Sequence, residues 1–151
     1  MILNKQVGVF LNLVHFQFKQ FLSKVFQNHG FNLTPEQFLV MDTLWDEGVL
    51  SQQQIANILI KDKNSITKLI DSLERKGLVV RETGSSDKRV KMIHLTEKAI
   101  IIKEDLTLVA LKSTDEIIKD IPNEELISFI KVLNKMSSNM SRYINQYRDN
   151  R

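Results

Sequence analysis

Two clusters of side chains in this sequence have the types and spacing to do chemistry. The first lies in Asp62–Gly77, DKNSITKLIDSLERKG. Lys63, Asn64, Ser65, Thr67 and Lys68 offer ammonium, amide and hydroxyl groups within six residues, with no large apolar side chain among them. Short or cationic donors of this kind can reach base edges and phosphate oxygens in the major groove of DNA. The second cluster is Arg81, Lys88, Arg89 and Lys91, with Asp87 beside it. Arginine at the end of a hairpin suits a narrow minor groove, where the negative potential is enhanced. Between Lys61 and Lys91 there are nine basic and five acidic residues, an excess of four, against +3 for the whole 151-residue chain. The charge is therefore focused on one region, the footprint of a surface that binds a polyanion.

Other chemistries find little support. The chain has no cysteine, so thiol catalysis, disulfides, thiolate metal sites and cysteine redox switching are excluded. The histidines stand apart at 15, 29 and 94, and no glycine-rich phosphate loop or nucleophile motif occurs. Paired carboxylates such as Asp46-Glu47 and Glu124-Glu125 are adjacent in sequence and so point apart on a helix. The chain reads as a non-enzyme, with no metal and no cofactor. The apolar N-terminus is interrupted by Asn4, Lys5, Gln6, Asn12, His15 and Gln17. It lacks the unbroken span of about 18 apolar residues a membrane helix needs. It also lacks a cleavage site of small residues. A cytoplasmic protein without membrane association is expected.

The elements that must position the two clusters can be read from periodicity. Ile66, Leu69, Ile70 and Leu73 recur at three- and four-residue steps, so the first cluster rides on a helix buried along one side. Asp62 is its N-cap and Gly77 its left-handed stop. Upstream, Ser51-Gln52-Gln53-Gln54 opens a short helix with a capping box. Small Ala56 lets the two helices approach, which makes a helix-turn-helix. Thr34-Pro35-Glu36-Gln37 opens another helix, ended by Gly48. After Gly77 the period changes to two. Leu78–Thr83 and Lys88–Leu95 read as the strands of a hairpin around Gly84-Ser85-Ser86-Asp87, that is, a wing.

Long helices flank this centre. Residues 2–28 carry five of the eight phenylalanines on more than one face, which predicts burial on two sides and hence a partner subunit. Thr96 caps a helix expected to run to about Asp120. Leu126, Phe129, Leu133, Met136, Met140, Tyr143 and Tyr147 then alternate steps of three and four, a packing seam of heptad type. The fold class is mainly α with a small β-hairpin wing. Residues 34–96 are assigned to the winged helix-turn-helix, and 1–33 with 97–151 to a helical dimerisation region.

These residues resemble the MarR family of winged helix-turn-helix transcriptional regulators. The resemblance rests on Ile55-Ala56, Ser65-Ile66-Thr67, Leu73-Glu74-Arg75-Lys76-Gly77-Leu78-Val79, Arg81, Asp87-Lys88-Arg89 and Leu95-Thr96-Glu97-Lys98. It covers essentially the whole chain. Ala99 departs from the glycine many members have after that last motif. The resemblance implies a homodimeric repressor on a pseudo-palindromic site in double-stranded DNA. The helix after Asp62 would lie in the major groove, and Arg89 would enter the minor groove with Asp87 orienting the wing. Lys88 and Lys91 would add phosphate contacts. It further implies release by a small phenolic or lipophilic effector. His15, Phe16, Met41 and Trp45 are the residues placed to line such a pocket, although their plainer reading is as core. The same fold can also serve as a protein-interaction module without DNA binding. Against that, residues 63–68 offer only Ile66 as an apolar anchor, and the buried stripe claims it.

Overall fold

The computed structural model describes residues 2–148. Helix α1 spans Leu3–Asn28 and α2 Pro35–Glu47. A two-residue strand β1, Leu50–Ser51, leads into α3, Gln52–Ile58, and α4, Lys63–Arg75. Strands β2, Val79–Thr83, and β3, Lys91–Leu95, form the wing. Helices α5, Glu97–Ile101, α6, Lys103–Ile117, and α7, Asn123–Arg148, complete the chain. No helix among the described residues is long and apolar enough to cross a membrane.

The helix starts follow their capping residues. Thr34 and Ser51 each accept from the backbone N–H three residues on, and Gln37 and Gln54 reach back to complete capping boxes. Three helices end in the same hydrogen-bonded turn, with a left-handed residue after the C-cap. At α1 it is Gly30 and at α4 it is Gly77, whose φ is 72°. At α3 it is Ile60, with φ 53°, and the Lys61 N–H closes the turn on the Ala56 carbonyl at 3.0 Å.

The chain divides into two compact units, one up to Ser113 and one from Thr114 onward. The first contains α1 as well as the winged helix, so the winged helix shares a core with residues assigned above to the helical region. Phe26, Met41, Leu44, Ile55, Ile66, Ile70, Leu73, Ile93 and Leu106 are fully buried there. Ala56 is buried between α3 and α4, as its size requires. Phe26 and Phe38 pack with ring centroids 5.3 Å apart. The second unit is dominated by α7, which has no fully buried side chain. Its Tyr143 and Tyr147 rings lie 4.7 Å apart, one turn of helix along the seam.

Three features differ from the sequence expectation. The sheet has three strands in the order β1-β3-β2, all antiparallel, with Leu50 opposite Ile93. Two residues are too few to show an alternation, so β1 left no pattern to read. The returning strand begins at Lys91 rather than Lys88. Residues 84–90 form the tip instead, closed by Gly84 N–H to the Val90 carbonyl (2.8 Å) and Val90 N–H to the Asp87 carbonyl (3.1 Å). A Cβ on Gly84 would stand 2.8 Å from that Asp87 oxygen, so the tip requires glycine. The helix from Thr96 is interrupted at Ile102 and stops at Ile117. The β-branched run Ile100-Ile101-Ile102 disfavours an unbroken helix at the interruption.

Candidate nucleic-acid interface

The recognition-type helix α4 is set by its cap. The Asp62 Oδ1 accepts from the Ser65 N–H and its Oδ2 from the Ser65 hydroxyl, both at 2.8 Å. These bonds, the backbone one foremost, hold the Asp62 carboxyl below the usual carboxylate range. Ile66, Ile70 and Leu73 turn inward, leaving Lys63, Asn64 and Lys68 exposed. Ser65 and Thr67 are half-buried and already engaged. The Thr67 hydroxyl donates to the Lys63 carbonyl (2.9 Å) and accepts from Gln52 Nε2 (2.6 Å).

The two basic clusters meet. A cavity of about 270 Å³ opens between the start of α3, the start of α4 and the wing. Lys63, Arg89 and Lys91 border it, with Gln52 and Gln53 on the α3 side. Those glutamines were not singled out from sequence, because the capping box accounted for Ser51 and Gln54 and left the two between without a role. Lys88 is exposed beside them.

Arg89 has a side chain 91% exposed, at the wing tip. Its Nε and NH2 donate to the two Asp87 oxygens at 3.1 and 3.0 Å, and its backbone N–H donates to Oδ1 as well. The fork holds the Asp87 carboxyl below its usual range and raises the guanidinium further above neutrality. Asp87 therefore aims the arginine, as the resemblance implies.

Arg81 behaves differently from the other basic residues. It lies on β2 with its side chain only 19% exposed. The guanidinium pairs with Asp71 and Glu74 of α4. It also donates to the Thr67 carbonyl and to Gln52 Oε1, each at 3.3 Å, and its backbone N–H bonds Glu74. The residue grouped above with the DNA-contacting cations thus braces the wing against the recognition helix. Asp71, Glu74 and Gln52, its partners, gave no signal in the sequence because their carboxylates and amide read as ordinary surface groups.

The four pocket candidates are not equivalent. Met41 is fully buried in the core. His15 and Phe16 are exposed on α1, Phe16 to 62%, with rings 5.9 Å apart. Trp45 packs against Phe38 at 6.3 Å, and its indole N–H is buried without a hydrogen-bond partner.

Residues 33–91 match the profile of the MarR family. Over 125 residues the chain is 30% identical to the HTH-type transcriptional regulator MhqR of Bacillus subtilis, covering 83% of this chain and 85% of that one. The chain belongs to the MarR family of DNA-binding transcriptional regulators. Among solved structures, this MarR-family chain is similar to overoxidized AbfR bound to DNA, with 27% identity, a TM-score of 0.74 and coverage of 90% and 93%. It is likewise similar to the S. aureus MepR–DNA complex, with 25% identity, a TM-score of 0.79 and coverage of 87% and 96%. The winged-helix fold is that of MarR regulators, mostly helical with a small three-stranded antiparallel sheet.

Proposed function

We propose that this MarR-family protein is a homodimeric repressor, acting in the cytoplasm on a pseudo-palindromic operator and released by a small phenolic or lipophilic effector. The observation that carries the DNA reading is the cavity where Lys63 of α4 and Arg89 and Lys91 of the wing converge. In this reading the exposed side chains of α4 enter the major groove and Arg89 enters the adjacent minor groove. Lys63, Lys68, Lys88 and Lys91 neutralise phosphates. The relatives AbfR and MepR, each solved on DNA, support it. Two such surfaces make about six to ten phosphate contacts, so binding falls steeply with salt.

Dimerisation rests on exposed apolar surface. Phe10 is 57% exposed and Phe16 62%, with Phe18 and Phe21 also uncovered on α1. On α7, Phe129, Ile130, Met140 and Tyr143 are exposed. A symmetric dimer is the commonest way to cover such faces. For the effector, the unpartnered Trp45 indole offers a donor to a ligand oxygen. Selection of bound sequences from random duplexes by the purified protein tests the proposal. A two-fold symmetric consensus is expected. Absence of enrichment, or an asymmetric single-site consensus with a monomer in solution, would overturn it.

A further inference from the structure

A second basic surface lies in the same unit, at the C-terminal end of α4. A cavity of about 480 Å³ opens there, beside the segment Gly30–Leu33 that joins α1 to α2. Its volume is within the roughly 300–1,000 Å³ range of small-molecule sites. Phe31, Leu33, Leu78 and Ile102 supply an apolar floor. Arg75, Lys76 and Lys98 supply three cations, and no acidic residue lines it.

The lysines are fixed in place by neutral oxygens. The Lys76 ammonium donates to the Asn32 carbonyl at 2.8 Å and to Gln37 Oε1 at 2.7 Å. Gln37 is itself buried, and its amide donates to Ser72 at 2.7 Å. Lys98 donates to the Lys76 carbonyl at 2.9 Å. No carboxylate forms an ion pair with any of the three among the described residues, whereas Lys19, Lys61, Arg81 and Arg89 all have one. Burial, and then the charge of Arg75, press the Lys76 pKa below its usual value, which marks positive charge held without a counterion. The competing account is that these cations answer the negative end of the α4 dipole. That end is worth about half an elementary charge. Three cations exceed it by more than two.

From this we infer that the cavity binds a small carboxylate with an apolar body, its head between Arg75, Lys76 and Lys98 and its tail on Phe31, Leu78 and Ile102. The site is separate from the surface where Lys63 and Arg89 meet, and its test needs no DNA.

Titration calorimetry of the full-length protein with octanoate, 1-octanol and inorganic phosphate tests the assignment. Octanoate should bind saturably and at least tenfold more tightly than octanol, and phosphate should not compete with it. Lys98→Met and Arg75→Met, both at exposed positions that leave the Lys76–Gln37 bonds intact, should each weaken octanoate at least fivefold. Lys112→Met, an exposed lysine outside the cavity, should leave it unchanged. Failure of octanoate to saturate would overturn the inference. So would octanol binding equally well, phosphate competing, or undiminished binding in both cavity variants. Each of these results is independent of whether the protein selects an operator.

Discussion

Replacing Arg81 by methionine keeps most of the side chain's apolar stem and removes the guanidinium. Asp71, Glu74, the Thr67 carbonyl and Gln52 then lose a shared partner. The two carboxylates are 43% exposed, so each ion pair is screened and contributes about 0.5 kcal/mol. The two neutral contacts at 3.3 Å contribute about 0.5 kcal/mol each. The sum, about 2 kcal/mol, corresponds to a fall in Tm of about 4–8 °C for a chain of this size. The consequence for DNA differs from that of losing a phosphate contact. Affinity should drop, because the wing is no longer fixed to α4, while the slope of log affinity against log salt stays the same. A phosphate ligand would instead lower the slope by about 0.9 per contact, close to two for a two-fold dimer. Thermal melts and fluorescence anisotropy at four salt concentrations measure both quantities. An unchanged Tm together with a shallower salt slope would refute the bracing role and return Arg81 to the DNA surface.

Arg89→Ala should show the opposite pattern in the same assays. Tm should be unchanged within about 0.5 kcal/mol, as for an exposed residue, with weaker binding to all sequences, most where the flanking minor groove is narrow. Ile60→Gly should stabilise the protein by about 1 kcal/mol in urea unfolding, since it relieves a β-branched residue in the left-handed region at a position 77% exposed. Glu36 is held below its usual pKa, chiefly by the 2.7 Å bond from Lys19 and also by the charge of Lys61. Its contribution to stability is thus present above the unfolded value of 4.5 and is lost as pH falls through the lower folded value. Glu36→Gln should flatten the acid limb of a pH–stability curve, and an identical limb would show that the pair contributes nothing.

Helix starts and stops were the most legible part of the chain, because Thr34, Ser51, Asp62 and Thr96 act on backbone groups within three residues of themselves. The wing was legible from its change of period. What stayed hidden depends on distant pairing. Strand β1 exists only because β3 passes beside it. The interruption at Ile102 is a local break inside an otherwise helical pattern. Arg81 shows the limit most clearly for the candidate site. In sequence it is one more cation on a basic hairpin, and only the fold reveals that Asp71 and Glu74 lie opposite it. The same holds for Met41, whose place in the core no spacing distinguishes from a pocket wall.

The middle strand of the sheet sets the gauge of the molecule. On β3, buried Ile93 stands opposite Leu50 on one flank and Arg81 on the other. Sliding that strand by a single residue would turn Ile93 outward and shift both neighbours together. How far the hairpin reaches beyond the helix beside it is therefore indexed to one side chain, and lengthening the tip would change its shape but not the origin from which its reach is measured.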